Sequence, residues 1–269
     1  MDYDATAPLD ASLRVALRSY LFEIYHENSK IPLRAVHQYA VNQPGLSEVE
    51  QYLMTRGFRQ YKPTNPVGLP PVVHSATSLQ EIMARRRSSR ELTGAVTLSE
   101  VATLLEQSLG CTAIVEDGEL THALRAWPSA GGLFPLDAYL IAAGVEDLSP
   151  GLYYYNPILQ GLERLPSRSP DEIIEDAFFG QSFARQAALV VLLVAAFERT
   201  TAKYGERGYR LVLLDAGHAA QNLLLTAEQM NLRSVAIAGF CDDSLARDLA
   251  IDGVSEAVVH TVFFGGRDD

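Results

Sequence analysis

The chain has 269 residues, 48% of them apolar and 20% charged, a balance that excludes a mainly disordered protein and supplies a sizeable core. Asp and Glu number 33 against 22 Lys and Arg, and the formal net charge of −11 argues against nucleic acid as a partner. The two cysteines, Cys111 and Cys241, form no C-x-x-C pair, which excludes a disulfide framework and gives no ligand set for zinc or an iron–sulfur cluster.

From Leu9 to about Asn28, apolar residues recur at helical spacing, with Leu13, Leu17, Tyr20, Leu21 and Ile24 on one side. Gln51 to Arg56 suggests a further short helix. Lys62 to Val73 (KPTNPVGLPPVV) holds four prolines and one glycine, and reads as an extended connection. The expected division is therefore a helical appendage with its Pro-rich connection over residues 1–74, followed by a main domain over 75–269. The opening MDYDATAPLD carries acidic residues where a secretory signal needs Lys or Arg. The longest apolar stretch, Ala187 to Phe197, is too short to span a bilayer, so a cytoplasmic protein without a membrane partner is expected.

In the main domain, Ser78 and Glu81 can form a capping box ahead of Leu79, Ile82 and Met83. Thr97 and Glu100 do the same for a helix from Leu98 to Leu109, which Gly110 stops. Ala138 to Val145 and GLYYYN, from Gly151 to Asn156, have strand character, and Asp171 to Phe179 looks helical. Ala187 to Phe197 reads as a central strand buried on both faces. A long helix follows, roughly Tyr209 to Met230, with apolar residues around much of its circumference. Such a helix is either fully enclosed within its own chain or covered by a second subunit. Strands at Ser234–Ala238 and Glu256–Phe264 flank a short helix near Asp243–Ala250. The interleaving fits an α+β domain better than a regular βαβ repeat.

Two segments suggest ligand binding. Arg86-Arg87-Ser88-Ser89-Arg90 closes the first helix of the main domain. Guanidinium forks and serine hydroxyls suit one phosphate group, although composition alone favours a solvated charge cluster. Trp127 to Pro135 (WPSAGGLFP) places Gly131 and Gly132 between two prolines, where backbone can approach a flat ligand or simply make a tight turn. It is neither a Walker A motif nor a dinucleotide fingerprint.

RRSSR, PSAGGLFPLDAYL, GLYYYN, KYGERGYRLVLLDAGHAAQNL and the terminal FFGGR, in this order, resemble the landmarks of the SagB-type dehydrogenase family. That family is a branch of the FMN nitroreductase-like superfamily and includes the oxidase of thiazole/oxazole-modified peptide pathways. The resemblance covers roughly Ser75 to Arg267, and YHENSK, from Tyr25 to Lys30, also looks familial. It implies an α+β nitroreductase-like fold with a central mixed sheet, flanking helices and a long central helix at the interface of a homodimer that binds FMN. It further implies that Arg86, Ser88 and Arg90 meet the phosphate and ribityl chain, and that Pro128, Ser129, Ala130 and Gly131 lie beside the isoalloxazine. Asn222 on the long helix, Gly239, Gly265 and Arg267 complete the implied cofactor environment. Arginine cluster, double-glycine turn and long helix are expected to converge.

Lys203 and Tyr204 fall in an expected loop before the long helix, and KY resembles the Lys-Tyr pair associated with catalysis in peptide azoline oxidases. Aromatising an azoline requires removal of a carbon-bound proton and transfer of a hydride equivalent to the flavin. A desolvated lysine suits the base and a tyrosine suits a relay. The expected activity is oxidation of peptide thiazolines or oxazolines to thiazoles or oxazoles in natural-product biosynthesis. Two alternatives stand beside it: an NAD(P)H-dependent flavin reductase of dehydroamino acids, quinones or nitro compounds, and a flavin-binding structural subunit of a peptide-modifying complex. Asp215 and His218 share one face of the helix without forming a recognisable dyad.

Overall fold

The computed structural model describes residues 21–31, 58–59, 61, 66–117 and 120–266. The chain divides into two compact units, Met1–Gly45 and Leu46–Asp269. In the first, helix α1 spans Leu21–Asn28 and closes where the Ser29 amide donates to the Tyr25 carbonyl at 2.9 Å. The rest of the helix expected from Leu9, and the helix expected at Gln51–Arg56, lie outside the described residues, as does Arg267.

The second unit runs β1 (Val67–Gly68), α2 (Leu79–Arg85), β2 (Val96–Thr97), α3 (Leu98–Leu109), β3 (Cys111–Asp117) and β4 (Leu120–Arg125). A 3-10 turn at Ala130–Gly132 leads to β5 (Leu136–Ala142), β6 (Val145–Glu146), β7 (Gly151–Asn156) and β8 (Gly161–Leu165). Then come α4 (Pro170–Ala177), α5 (Ser182–Gln186), β9 (Leu189–Ala196), α6 (Glu198–Tyr204), α7 (Arg207–Gln229), β10 (Arg233–Ile237), α8 (Asp242–Leu249) and β11 (Glu256–Gly265).

Seven strands form the main sheet in the order β1-β8-β7-β5-β9-β11-β10, and each neighbouring pair is antiparallel. Parallel pairing is carried by the short β2–β6 ladder, so both senses occur, in separate sheets. β9 explains the layering. Its side chains alternate, and because all are apolar both faces of the sheet are core. Leu189, Val191, Leu193 and Ala195 join the cluster under α3 and α7, while Val190, Leu192 and Val194 join the cluster with Ile173, Phe178 and Leu245 of the α4–α8 side. This is an α+β fold, a seven-stranded sheet with helices packed on both faces.

Local signals place several helices where the sequence puts them. The Thr97–Glu100 capping box opens α3, and Ser78 caps α2 by accepting from the Glu81 amide at 3.2 Å. α7 buries Val212, Ala216, Ala219, Leu223 and Ala227 against the sheet, yet Leu213 and Leu214 on its other side are 41% and 59% exposed. Among the described residues, that side of the helix is left uncovered.

Three expectations change. The strand anticipated from Ala138 to Val145 ends at Ala142, because the Ala143 and Gly144 amides both turn to the Ala188 carbonyl at 2.9 Å. The Pro-rich connection supplies an edge strand, β1, and the Val73 amide donates to Thr103 Oγ1 at 3.0 Å. Gly265, expected beside the cofactor, gains a packing role as well. A Cβ there would lie 2.1 Å from the Leu92 carbonyl oxygen, so the strand passes backbone against backbone. Gly265→Ala should destabilise the fold by about 1–3 kcal/mol or more through overpacking, read as a lowered urea midpoint.

Candidate functional site

The WPSAGGLFP segment folds on itself. Trp127 and Phe134 meet edge to face at 5.6 Å and pin the two legs together. The Phe134 amide donates to Ser129 Oγ at 2.9 Å, and the Gly132 amide donates to the Ser129 carbonyl at 3.1 Å. Gly131, Gly132 and Phe134 all have positive φ, at 65°, 68° and 44°. Beneath the turn lies Asp215 of α7, buried, with the Ser129 hydroxyl and the Ala130 amide as the donors near its carboxylate. Burial pushes its carboxyl above the ordinary value, while those two donors and His218 pull the other way.

Lys203 and Tyr204 are not in a loop. They end helix α6, which Gly205 terminates at φ 54°. A Cβ on Gly131 would fall 2.7 Å from Tyr204 Oη and 3.1 Å from Lys203 Nζ, so the Lys-Tyr pair and the double-glycine turn form one site. Lys203 Nζ also lies 5.5 Å from the centroid of the Tyr204 ring. The bases of both elements are tied: Arg199, in the first turn of α6, reaches Asp137 Oδ2 at 2.7 Å, and both side chains are buried. Asp137 sits two residues after Pro135, whose carbonyl accepts from the Ala196 amide at 2.8 Å. Phe197 and Tyr209 stack at 5.3 Å and carry the connection on to α7.

The arginine-serine cluster is assembled differently. Arg85 donates to Glu228 Oε1 at 3.1 Å and Asn231 Oδ1 at 2.6 Å, anchoring α2 to the end of α7. Arg87 Nη1 is committed to the carbonyls of Ala84 and Arg86 at 3.1 and 2.8 Å. The Ser89 amide donates to the Ser234 carbonyl at 2.9 Å, fixing the segment on edge strand β10. Arg90 lies over the Phe183 ring at 5.8 Å. Among the described residues, the Arg86 guanidinium and Ser88 hydroxyl make no hydrogen bond, which leaves these two for an external anion.

One chain does not bring all three elements together. The glycine turn rests on Asp215 and the arginine cluster on Glu228, thirteen residues further along the same helix, or roughly 20 Å at about 1.5 Å per residue. The other expected contacts divide as well. Asn222 Nδ2 donates to the carbonyls of Ala126 and Ser108 at 3.1 and 3.4 Å, and the residue borders a groove of about 290 Å³ with Leu79, Ile82 and Leu225. Ser129 Oγ accepts from the Phe134 amide, which shapes the turn. Pro128 and Gly131 are exposed, and Gly239 after β10 has open space around it. A larger depression, about 680 Å³, lies among the paired side chains of Arg168, Asp176, Glu175 and Arg185 and contains none of these residues.

Sequence reasoning missed Asp215 and the Asp137–Arg199 pair. The available signal for Asp215 was a carboxylate among Val212, Ala216 and Ala219 on the face destined for burial. Among the described residues, no helix is long and apolar enough to cross a membrane, and no group of three His, Cys, Asp or Glu side chains is placed to hold a metal.

The fold and site define a nitroreductase-type oxidoreductase. Residues 83–266 match the nitroreductase family, and the chain belongs to that family. A Methanocaldococcus jannaschii protein described as a nitroreductase is 30% identical over 189 residues, 70% of this chain and 91% of that protein. The microcin B17-processing protein McbC of Escherichia coli is 30% identical over 152 residues, 54% of this chain and 55% of its own length. Among solved structures, an Anabaena variabilis protein described as a nitroreductase aligns with TM-score 0.70 at 26% identity, over 90% of this chain and 45% of that one. A chain of the E. coli microcin synthetase McbBCD complex with truncated pro-MccB17 bound aligns with TM-score 0.58 at 21% identity, over 97% of this chain and 99% of that one.

Gly131→Ala tests the close approach. The substitution meets both a left-handed backbone, worth about 1–2 kcal/mol, and the Tyr204 hydroxyl. Thermal melting should fall by several degrees, and the Lys-Tyr pair should be displaced from the turn.

Proposed function

We propose that residues 75–269 bind FMN and that the protein is an FMN-dependent azoline dehydrogenase, oxidising peptide thiazolines or oxazolines to the aromatic azoles in the cytoplasm. The observation that carries this reading is the packing of Lys203 and Tyr204 against Gly131, which puts a fixed amine and a fixed phenol at the turn where the flavin ring is expected. The E. coli relative named for processing microcin B17 supports a precursor substrate over a free nitro compound.

Arg86, Ser88 and Arg90 would hold the phosphate, joined by Arg267, while Pro128, Ala130 and Gly131 would border the ring. Ser129, Asn222 and Gly265 serve by fixing the backbone around it. Their geometry fits an anionic, flat cofactor: uncommitted donors at one end and an exposed glycine turn at the other. When bound, FMN supplies the two-electron acceptor that ring oxidation needs. Lys203 Nζ accepts the carbon-bound proton of the azoline, and Tyr204 Oη orients the ring and relays that proton. The turn places the substrate ring against them.

The same reading requires a second copy. The two ligand regions sit at opposite ends of α7, and the exposed Leu213 and Leu214 share a face with Gly217 and His218. An isologous pairing with two antiparallel α7 helices would bury that face and bring the arginine cluster of each subunit to the glycine turn of the other. Leu214→Glu should therefore convert a dimer to a monomer in light scattering and release FMN together with dimer loss.

Anaerobic mixing with an azoline peptide should bleach the oxidised flavin and give a product lighter by two hydrogens. Lys203→Ala should slow bleaching by about 10²–10⁴-fold while FMN stays bound. Rapid bleaching by NAD(P)H alone, with azolines inert, would favour the second reading, a flavin reductase, which the M. jannaschii relative supports. The McbBCD structural match supports a third, a subunit of a peptide-modifying complex whose function survives substitution of both Lys203 and Tyr204.

A further inference from the structure

We propose that Arg59 is a positioning residue for Lys203 and Tyr204, tying the sheet strands together at the point where helix α6 departs. The inference rests on reading Lys203–Tyr204 as the reacting pair, although the tie itself can be measured without that reading.

Strand β9 lies between β5 and β11 in the main sheet. Near its end, Ala195 pairs with Leu136 at the start of β5, and Ala196 pairs with Glu256 at the start of β11. Helix α6 begins just beyond, at Glu198. Arg59 spans this point. Its Nη1 donates to Glu256 Oε2 at 2.9 Å, and its backbone amide donates to Asp137 Oδ1 at 3.3 Å. The other oxygen, Asp137 Oδ2, accepts from Arg199 of α6 at 2.7 Å. A single carboxylate thus joins the segment ahead of the Pro-rich connection to the helix that ends in Lys203 and Tyr204. Tyr61 seats that segment. Its hydroxyl is 2.8 Å from Tyr139 Oη, its ring is 5.0 Å from that of Tyr154, and the Arg59 guanidinium lies 5.4 Å from its centre.

Geometry rather than stability is what this arrangement adds. The Arg59 and Glu256 side chains are 31% and 28% exposed, and an ion pair that water still reaches contributes little to folding. A carboxylate bonded at one oxygen, however, can turn about its side-chain bond and carry its partner with it. Donors at both oxygens fix the carboxylate plane, and with it the direction in which Arg199 is held. Tyr154 Oη, at 3.4 Å, is the weaker second donor to Oδ1. Arg199 stands one helical turn before Lys203, so the two side chains leave the same face of α6. Loss of the Arg59 side chain frees the segment from Glu256, loosens its amide from Asp137 and lets the end of α6 drift from Gly131.

The chain has three lysines, Lys30, Lys62 and Lys203, so labelling the full-length protein with limiting acetic anhydride gives Lys203 its own rate by peptide mass, with Lys30 as reference. Arg59→Ala should raise Lys203 labelling relative to Lys30 several-fold, and Glu256→Ala should raise it in the same direction. Arg59→Lys, which keeps a cation for Glu256, should lie closer to wild type. The Arg59→Ala/Glu256→Ala double variant should go no further than Arg59→Ala alone. Urea midpoints should stay near that of the wild type. In azoline turnover, Arg59→Ala should lower kcat on the order of tenfold to a hundredfold with a much smaller change in KM. Folded Arg59→Ala and Glu256→Ala proteins with wild-type Lys203 labelling would overturn the proposal, as would wild-type kcat in Arg59→Ala. A lowered midpoint with Lys30 and Lys203 labelling rising alike would also overturn it, by showing a merely structural role. If circular dichroism shows that Arg59→Ala does not fold, Glu256→Ala and Arg59→Lys decide. A wild-type protein that oxidises no azoline removes the assigned reaction, while the Lys203 labelling still decides whether Arg59 sets the end of α6.

Discussion

The site stands on the junction of β5 and β9. These strands pair antiparallel from Leu136↔Ala195 to Ala142↔Leu189, so the end of β9 lies beside the start of β5. The glycine turn enters β5 at that point, and α6 leaves β9 there. Two elements distant in sequence are therefore launched from one place. Asp137 and Arg199 lock the launch with a 2.7 Å ion pair among buried side chains, and Tyr154 Oη adds a weaker contact to Asp137 Oδ1 at 3.4 Å. Burial works against the charge of Arg199, and Asp137 more than restores it. Removing either partner strands the other charge, at about 3–5 kcal/mol. The pair thus does more for the geometry of Lys203 and Gly131 than for net stability, since an apolar pair of equal volume would stabilise as well but would not fix an angle.

α7 distributes the rest. Its inner face is core, one position on that face is Asp215, and on its outer face Leu213 and Leu214 are exposed among the described residues. The helix is also a ruler. The glycine turn sits against its first half and the arginine cluster against its last turn, so no bending of loops closes the gap within one chain. The proposed two-fold pairing would close it, because reversing one helix against another exchanges first half for last. The exposed Leu213 and Leu214 and the separated ligand regions are two consequences of the same unfilled face. A chain that enclosed α7 by itself would have to abandon one of them.

Much of this scaffold is legible in the sequence because its causes are local. β9 announces itself by an unbroken apolar run, α3 by its capping box and glycine stop, and α7 by its length and apolar content. α6 is not legible. ERTTAKY has no apolar stripe, and the segment is helical because Thr200 is buried and Gly205 ends it at positive φ. Hairpin β3–β4 escapes notice because CTAIV and THALR lack clean alternation. Motifs name residues without naming their partners. Gly265 belongs to a recognisable ending, but its need for glycine comes from Leu92, far back in the chain. Asp215 draws attention through its spacing to His218, whereas the fold sets it apart by burying it among Val212, Ala216 and Ala219. Arg86 and Arg87 are indistinguishable by composition, and only the fold shows Arg87 spent on two carbonyls while Arg86 makes none of these bonds.

The arrangement bears on the direction of electron flow. A flavin reductase acting on nitro groups or quinones can draw protons from water, so it places little demand on a side chain near its substrate. Oxidising a saturated carbon places a strict one, because the proton leaves a C–H bond and must meet a base already in line. Lys203 and Tyr204 end a helix whose first turn is ion-paired to the sheet, and their polar tips lie where a Cβ on Gly131 would meet them. A helix set by Arg199 from behind limits how far the pair can drift. Such constraint is superfluous for a reductase and necessary for a dehydrogenase, and on that ground the oxidative reading accounts for more of what the fold has built.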